Sequence, residues 1–235
     1  MTEFLYWACV PAAGVGVRFG ADRPKQYLKI GDRTILDHTL DVLVRHDKIA
    51  GIAVAISATD NWWKECEVIS NAKVIRTAGG KQRCQSVLNG LQALLRCGAN
   101  KSDRVLVHDA VRPCLSPSDL NILVETVGQD INGGLLALPV TDTVKCADRQ
   151  SRVGKTLMRE LVWRAQTPQL FPLGKLQDAL TRLIAKQQSV TDESQALEEL
   201  GLRPKLVAGS PHNIKITRPI DLAMAEFFLR DQGRL

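Results

Sequence analysis

Aromatic side chains are scarce in this 235-residue chain, at 5%, too few for the stacking platform that holds single-stranded nucleic acid. The basic excess, a formal charge of +6, is scattered and not run together. That pattern argues against a nucleic-acid partner and suits a small anionic substrate. No apolar run is long enough to cross a bilayer, and the amino terminus carries Glu3 and no basic stretch, so neither a membrane span nor a secretion signal is expected. The six cysteines (9, 66, 84, 97, 114 and 146) include no C-x-x-C pair, and the four histidines (38, 46, 108 and 212) lack zinc-ligand spacing. Cysteines set in apolar or helical stretches behave as small hydrophobes, which implies a reduced, cytoplasmic protein. Repeats and low-complexity tracts are absent too. What is left is ordinary globular composition, 45% hydrophobic and 24% charged, expected to form one domain over 1–235.

The stretch that organises the rest is 8–27, ACVPAAGVGVRFGADRPKQY. An apolar run ends in the small-residue loop Ala12-Ala13-Gly14-Val15-Gly16, followed by Arg18 and, after Pro24, Lys25. Small residues let backbone N–H groups approach phosphate oxygens, and the two cations add full charge, one as a fork and one as a point. The loop lacks the Walker pattern, and Phe19 stands where a dinucleotide fingerprint needs its third glycine. Taken alone, it reads either as a polyphosphate cradle or as an ordinary strand-to-helix turn with two solvated cations.

Strand and helix signals alternate from there to about residue 140. Thr34-Ile35-Leu36-Asp37 forms a capping box, with Leu36, Leu40 and Leu43 at helical spacing after it. The run 51–57 is continuously apolar and β-branched, as in a strand covered on both faces. A weaker helix is expected at 60–70, a strand at 73–77, a long helix at 82–97, a strand at 104–108 and another at 134–140. Ser116 caps a helix with Pro117 at its first position. Further on come helices over 172–186, from 191 to near 201, and over 219–230, with strands at 205–208 and 213–217. This order predicts an α/β fold, a mostly parallel sheet flanked by helices. Ligands bind at the carboxyl ends of such strands, where the polar loops 12–25, 79–86 and 109–113 fall. Residues 141–165 break the pattern: strands at 141–146 and 155–158 around a polar turn read as a projecting β-hairpin arm. So few apolar residues need something to pack on, and a two-fold partner is the economical answer.

Several side chains then carry candidate chemistry. Asp109 follows a strand and faces the loop, as a Mg²⁺ ligand would, or it is a helix-capping carboxylate, or one salt-bridged to a neighbour such as Arg112. Gly80-Lys81-Gln82-Arg83 and Ser86 open the long helix, either as an anion or base site or as a tight turn. Lys215, between Asn213 and Thr217, points into a site or into solvent. Thr143 and Arg159 lie on the arm, functional or merely on a solvated face.

Eight motifs occur in order: V-P-A-A-G-x-G-x-R (10–18), P-K-Q-Y-L (24–28), G-G-x-x-R-x-x-S-V (79–87), H-D-A-x-R-P (108–113), P-V-T-D-T-V-K (139–145), Q-T-P-Q-x-F (166–171), T-D-E (191–193) and N-I-K-I-T-R-P-x-D-L (213–222). The set resembles the 2-C-methyl-D-erythritol 4-phosphate cytidylyltransferase family of the non-mevalonate isoprenoid pathway, over about residues 7–230. The resemblance implies a Rossmann-like nucleotidyltransferase fold and a Mg²⁺-dependent reaction, with Mn²⁺ as the alternative ion. In it, the acceptor phosphate attacks the α-phosphorus of CTP in line and pyrophosphate leaves. It implies that Arg18 and Lys25 stabilise the α-phosphate and departing pyrophosphate, and that Ala12, Ala13 and Gly14 hold the nucleotide through backbone groups. Gly80, Lys81 and Ser86 fall to the base and its surroundings, and Asp109 to metal and ribose. Thr143, Arg159, Lys215, Thr167, Thr191 and Arg112 fall to the polyol phosphate. Thr143 and Arg159 would come from the partner of a homodimer joined through the 141–165 arm. Lys81 and Gln82 stand where acidic residues are frequent in the family, so base recognition here would fall to backbone groups. Some members continue into a downstream cyclase; none is expected after Arg230. Ribitol 5-phosphate cytidylyltransferases share the fold and mechanism and differ in the polyol pocket. A non-catalytic nucleotide-binding regulator is a weaker alternative, because a mere binder needs no charge aimed at a leaving group.

Overall fold

The computed structural model describes residues 4–14 and 23–235. Along the chain run β1 (Tyr6–Pro11), β2 (Lys29–Ile30), β3 (Arg33–Thr34), α1 (Ile35–Arg45), β4 (Ile49–Ile56), β5 (Val74–Ala78), α2 (Arg83–Arg96) and β6 (Arg104–Val107). Then follow α3 (Pro117–Val127), β7 (Gly134–Pro139), β8 (Lys145–Ala147), β9 (Val153–Thr156), β10 (Trp163–Pro172), α4 (Leu173–Ala185), α5 (Glu193–Glu198), β11 (Lys205–Ala208) and α6 (Pro219–Asp231). Seven strands form one sheet in the order β11-β7-β10-β6-β1-β4-β5. All neighbours pair parallel except β10, which is antiparallel to both β6 and β7.

Alternation along the central strands divides the core into two layers. Ala8 and Val10 of β1, Ile52 and Val54 of β4 and Leu106 of β6 join the leucines of α1 and α3 on one face. Trp7, Cys9, Ala53, Val105 and Val107 join α2 and α4 on the other. β4 is buried at every position but one, which is why its sequence is a continuous apolar run. Gly90 sits where α2 crosses β1: a Cβ there would come within 2.3 Å of Cys9 Sγ, so a side chain would push the helix off the sheet. A third cluster, with Ile30, Ile216, Ala225 and Leu229, seats α6.

The local signals work as read. The Thr34 hydroxyl accepts from Asp37 N–H while the Asp37 carboxylate accepts from Thr34 N–H, and Ser116 caps α3 with Pro117 at its first position. Four segments differ. The helix expected at 60–70 is two 3₁₀ turns, Trp63–Glu65 and Glu67–Ser70, broken by the extended backbone of Cys66 between them; the Asp60 carboxylate takes the N–H groups of Trp62 and Trp63 at the start of the first. The segment 213–217 is no strand. Side chains hold it across the sheet's end, through Asn213 Nδ2 to the Thr167 carbonyl (2.8 Å) and Lys25 Nζ to the Ile216 carbonyl (2.9 Å). β10 was hidden by Q-T-P-Q, because Pro168 lies where its register with β7 shifts, between Ala165 and Gln169. Lastly, the first hairpin strand is shorter than expected, leaving 141–144 outside it, and the second begins earlier, at Val153; β8 and β9 pair with each other and not with the main sheet.

Candidate active site

The loops after β1, β5 and β6 meet at the carboxyl end of the sheet. Gln26 Nε2 donates to the carbonyls of Ala12 (2.7 Å) and Gly14 (3.3 Å), which pins the first loop from behind. Gly79 lets the second loop lie on the first: a Cβ there would fall 2.2 Å from that of Ala13. Ser86 builds the second loop, its hydroxyl accepting from Gly80 N–H (3.0 Å) and donating to the Gln82 carbonyl (3.3 Å).

These loops border a cleft of about 320 Å³ lined by Ala12, Ala13, Gly14, Lys25, Gly80, Lys81, Ser86 and neighbours. A second cleft of about 220 Å³ is lined by Arg112, Gln166, Thr167, Gln169, Thr191 and Asp192. Arg83, Asp109 and Lys215 line both. They form the wall at which two bound molecules would meet.

Asp109 is the centre of that wall. Its Oδ2 lies 2.9 Å from Lys215 Nζ and 3.3 Å from Arg112 Nε, and its Oδ1 lies 3.3 Å from Arg83 Nη2. Burial alone would raise its carboxyl, but Lys215, Arg83 and Arg112 hold it well below the usual carboxylate range. The salt-bridged reading of Asp109 therefore describes this structure, with three cations in place of Arg112 alone. Arg83 also donates from Nη1 to Glu193 Oε1, a carboxylate only 1% exposed.

Behind the wall, hydrogen bonds run in one direction. Asp109 N–H donates to Thr167 Oγ1 (3.0 Å), and Thr167 Oγ1 lies 2.9 Å from His108 Nδ1. His108 Nε2 faces the Arg112 carbonyl at 3.2 Å. A carbonyl can only accept, so Nε2 carries the hydrogen and Nδ1 accepts from the Thr167 hydroxyl. Burial pushes the imidazole down to about 4, so it stays neutral. Thr167, expected to face the acceptor, lines the second cleft, with its hydroxyl proton committed to His108 and its oxygen accepting from Asp109 N–H.

The remaining expected residues sort by place. Thr191 borders the second cleft, with its N–H and hydroxyl both on Gln195 Oε1. Thr143 and Arg159 line neither cleft of their own chain; Arg159 donates to the Thr141 carbonyl and sits 3.6 Å from Glu160. Arg18 lies outside the described residues. Sequence reading gave no role to Gln26, His108, Gln169 or Glu193, and named Arg83 only within the helix opening read as an anion or base site. All five sit inside motifs it quoted, so the signal was present, but the long-range partners were not. Among the described residues, no three His, Cys, Asp or Glu side chains converge as a metal site.

Among the described residues, no helix is long and apolar enough to cross a membrane. Residues 6–231 match the family model described as IspD: 2-C-methyl-D-erythritol 4-phosphate cytidylyltransferase. The curated 2-C-methyl-D-erythritol 4-phosphate cytidylyltransferase of Ectopseudomonas mendocina (strain ymp) is 49% identical over 218 residues, covering 93% of each chain. That of Pseudomonas putida (strain GB-1) is 48% identical over 217 residues, 92% of each. A crystal structure of a 4-diphosphocytidyl-2C-methyl-D-erythritol synthase superposes with a TM-score of 0.83 at 36% identity, covering 97% of this chain and 99% of the other. The Francisella tularensis 2-C-methyl-D-erythritol 4-phosphate cytidylyltransferase does so at 0.80 and 38%, covering 96% and 100%. With motifs, fold and full-length similarity in agreement, this chain belongs to the 2-C-methyl-D-erythritol 4-phosphate cytidylyltransferase family.

Proposed function

We propose that the protein transfers CMP from CTP to 2-C-methyl-D-erythritol 4-phosphate, giving the 4-diphosphocytidyl derivative and pyrophosphate. The observation that carries this reading is the shared wall: two clefts, one behind a small-residue loop, share Arg83, Asp109 and Lys215 among the described residues. An oxygen of the acceptor phosphate bonds to the α-phosphorus of CTP. The bond from that phosphorus to the bridging oxygen breaks, and pyrophosphate leaves with the electron pair. Little covalent work falls to the protein, so alignment and charge carry the rate.

In this reading Ala12, Ala13 and Gly14 hold the nucleotide through backbone groups, and Gly80, Lys81 and Ser86 border the base. Lys25 and Arg18 face the α-phosphate and leaving group. Lys215 and Arg112 draw the acceptor phosphate to the wall beside Thr191, with Thr167 holding Asp109 behind it. Thr143 and Arg159 complete the acceptor site from a second copy, through an arm at 141–165 of an otherwise single domain. That arm's Val153, Met158 and Leu161 are 66%, 70% and 76% exposed, apolar surface that a homodimer would cover. Six free cysteines suit a reducing, cytoplasmic setting.

Mg²⁺ fits this donor set in one way only. Among the described residues, Asp109 is the one carboxylate common to both clefts, and both its oxygens already meet cations. The ion's other ligands would have to be phosphate oxygens and water, so it would arrive with CTP, where it would neutralise triphosphate charge. Pyrophosphate release with CTP and Mg²⁺ across 2-C-methyl-D-erythritol 4-phosphate, ribitol 5-phosphate and erythritol 4-phosphate tests the whole reading. Strong preference for the first is expected. Preference for ribitol 5-phosphate would move the acceptor, and no release with any would end the catalytic reading.

A further inference from the structure

Glu193 is the first residue of α5, Arg83 the first of α2, and their ion pair joins elements that flank different clefts. The carboxylate is buried, and its second oxygen, Oε2, has no hydrogen-bond partner among the described residues. A neutral side chain of the same shape would sit there at lower desolvation cost. The charge is therefore matched to Arg83 and to nothing else recorded around it. Arg83 in turn is divided, with Nη1 on Glu193 and Nη2 on Asp109 Oδ1 at 3.3 Å. A guanidinium left to itself prefers to grip one carboxylate with both prongs. Such a grip on Asp109 would compete with Lys215 and Arg112, which hold its other oxygen.

The Thr191–Asp192 turn precedes Glu193 and lines the acceptor cleft. It is tied to the sheet by Gln169, whose Nε2 donates to Asp192 Oδ2 (2.9 Å) and whose Oε1 accepts from Ser194 N–H (2.8 Å). Its tie to the nucleotide side runs through Glu193 and Arg83.

We infer that Arg83 and Glu193 form a positioning pair: Glu193 keeps Arg83 divided across the wall, and so keeps Asp109 and Lys215 set for the acceptor phosphate. The inference rests on the proposed transfer reaction, and its test separates the two. E193Q keeps shape and an acceptor oxygen but loses the charge. R83K keeps the charge but loses the fork. Each is compared with R83K/E193Q by steady-state pyrophosphate release, with CTP affinity measured separately by calorimetry without acceptor.

E193Q is expected to lower kcat/KM for the acceptor about 10-fold or more, the scale of a lost charge-assisted hydrogen bond, with CTP affinity within about 3-fold. Because Glu193 acts through Arg83, the double variant should be no worse than R83K alone. Losses that multiply would overturn the pairing, as would a lower Tm with kcat/KM unchanged. A crystal structure of E193Q gives a readout free of turnover: Arg83 swung onto Asp109 with both prongs supports the pair, and an unmoved Arg83 refutes it. If E193Q does not fold, E193D, one methylene short of Arg83, takes its place in the same cycle. A wild-type protein that binds CTP yet releases no pyrophosphate would sink the proposed reaction, and the structure of the variant would still decide the pair.

Discussion

The wall around Asp109 and the β8–β9 ribbon carry similar chemistry in opposite settings. Asp109 is 7% exposed and meets cations delivered by α2, by the loop after β6 and by the segment before α6. Each is fixed by contacts far along the chain. Arg159 at the foot of the ribbon is an arginine too, yet its recorded partners lie within 18 residues and are exposed. One region is organised by its own fold. The other holds the side chains proposed for the acceptor, and Arg159 there meets only near neighbours among the described residues. The difference teaches that a basic residue becomes a site only when the chain, or a second chain, closes around it.

Breaking the organised region should have the largest effect. Lys215→Ala removes the 2.9 Å contact to Asp109 Oδ2 and a cation that lines both clefts. Turnover should fall about 10²- to 10³-fold, the scale of losing one preorganised charge-stabilising group, while CTP affinity changes far less. Single-turnover quench alongside calorimetry checks this, and equal losses in both would reduce Lys215 to a nucleotide ligand. The matching experiment on the ribbon mixes two inactive variants, Lys25→Ala and Arg159→Ala. If the arm serves a partner's cleft, random reassortment makes about half the dimers mixed, each with one intact site, and restores about a quarter of wild-type activity. Verified heterodimers without recovery would return Arg159 to its own chain.

A smaller effect tests what lies behind the wall. Thr167→Val keeps the shape but leaves Asp109 N–H and His108 Nδ1 without the hydroxyl they share. Each buried group left unpaired costs about 1–3 kcal/mol, so a lower Tm and roughly 10-fold lower kcat/KM for the acceptor are expected. Thr167→Ser should recover most of both. If Thr167→Val raised only the acceptor KM and left Tm unchanged, the hydroxyl would belong to the acceptor after all.

That hydrogen-bond chain marks the limit of legibility in the sequence. Local physics was readable: the Thr34 capping box, Pro117 at a helix start and the apolar run of β4 each act within a few residues. The antiparallel β10 was not readable, because Pro168 interrupts its pattern and its partners lie on β6 and β7. Lys25 and Asp109 were legible as charges in polar loops, and Lys215 as a lysine in an expected strand. That Asp109 would face three cations was not, since Arg83 and Lys215 stand 26 residues before it and 106 after it in the sequence. Glu193 lay in a quoted motif, but only burial shows that a carboxylate there must be answered by an arginine.

The gentlest way to sharpen the comparison is to ask what covers each region. Cys9 is buried beneath α2 and bonded through Sγ to the Val87 carbonyl, and burial raises its thiol far above the reactive range. Cys66 and Cys114 are likewise pushed up, each to about 12, chiefly by burial. Thiolate is the reacting form, so these three should resist maleimide while the native fold lasts. Cys146 on β8 is only half-buried in the single chain and Cys97 is exposed, so both should react. If a second copy covers the ribbon, Cys146 labelling should slow several-fold as protein concentration rises through the dimer's Kd, while Cys97 keeps a constant rate as the internal reference. A Cys146 rate that tracks Cys97 at every concentration would mean the ribbon stays bare, and the exposed Val153, Met158 and Leu161 would then need a different partner.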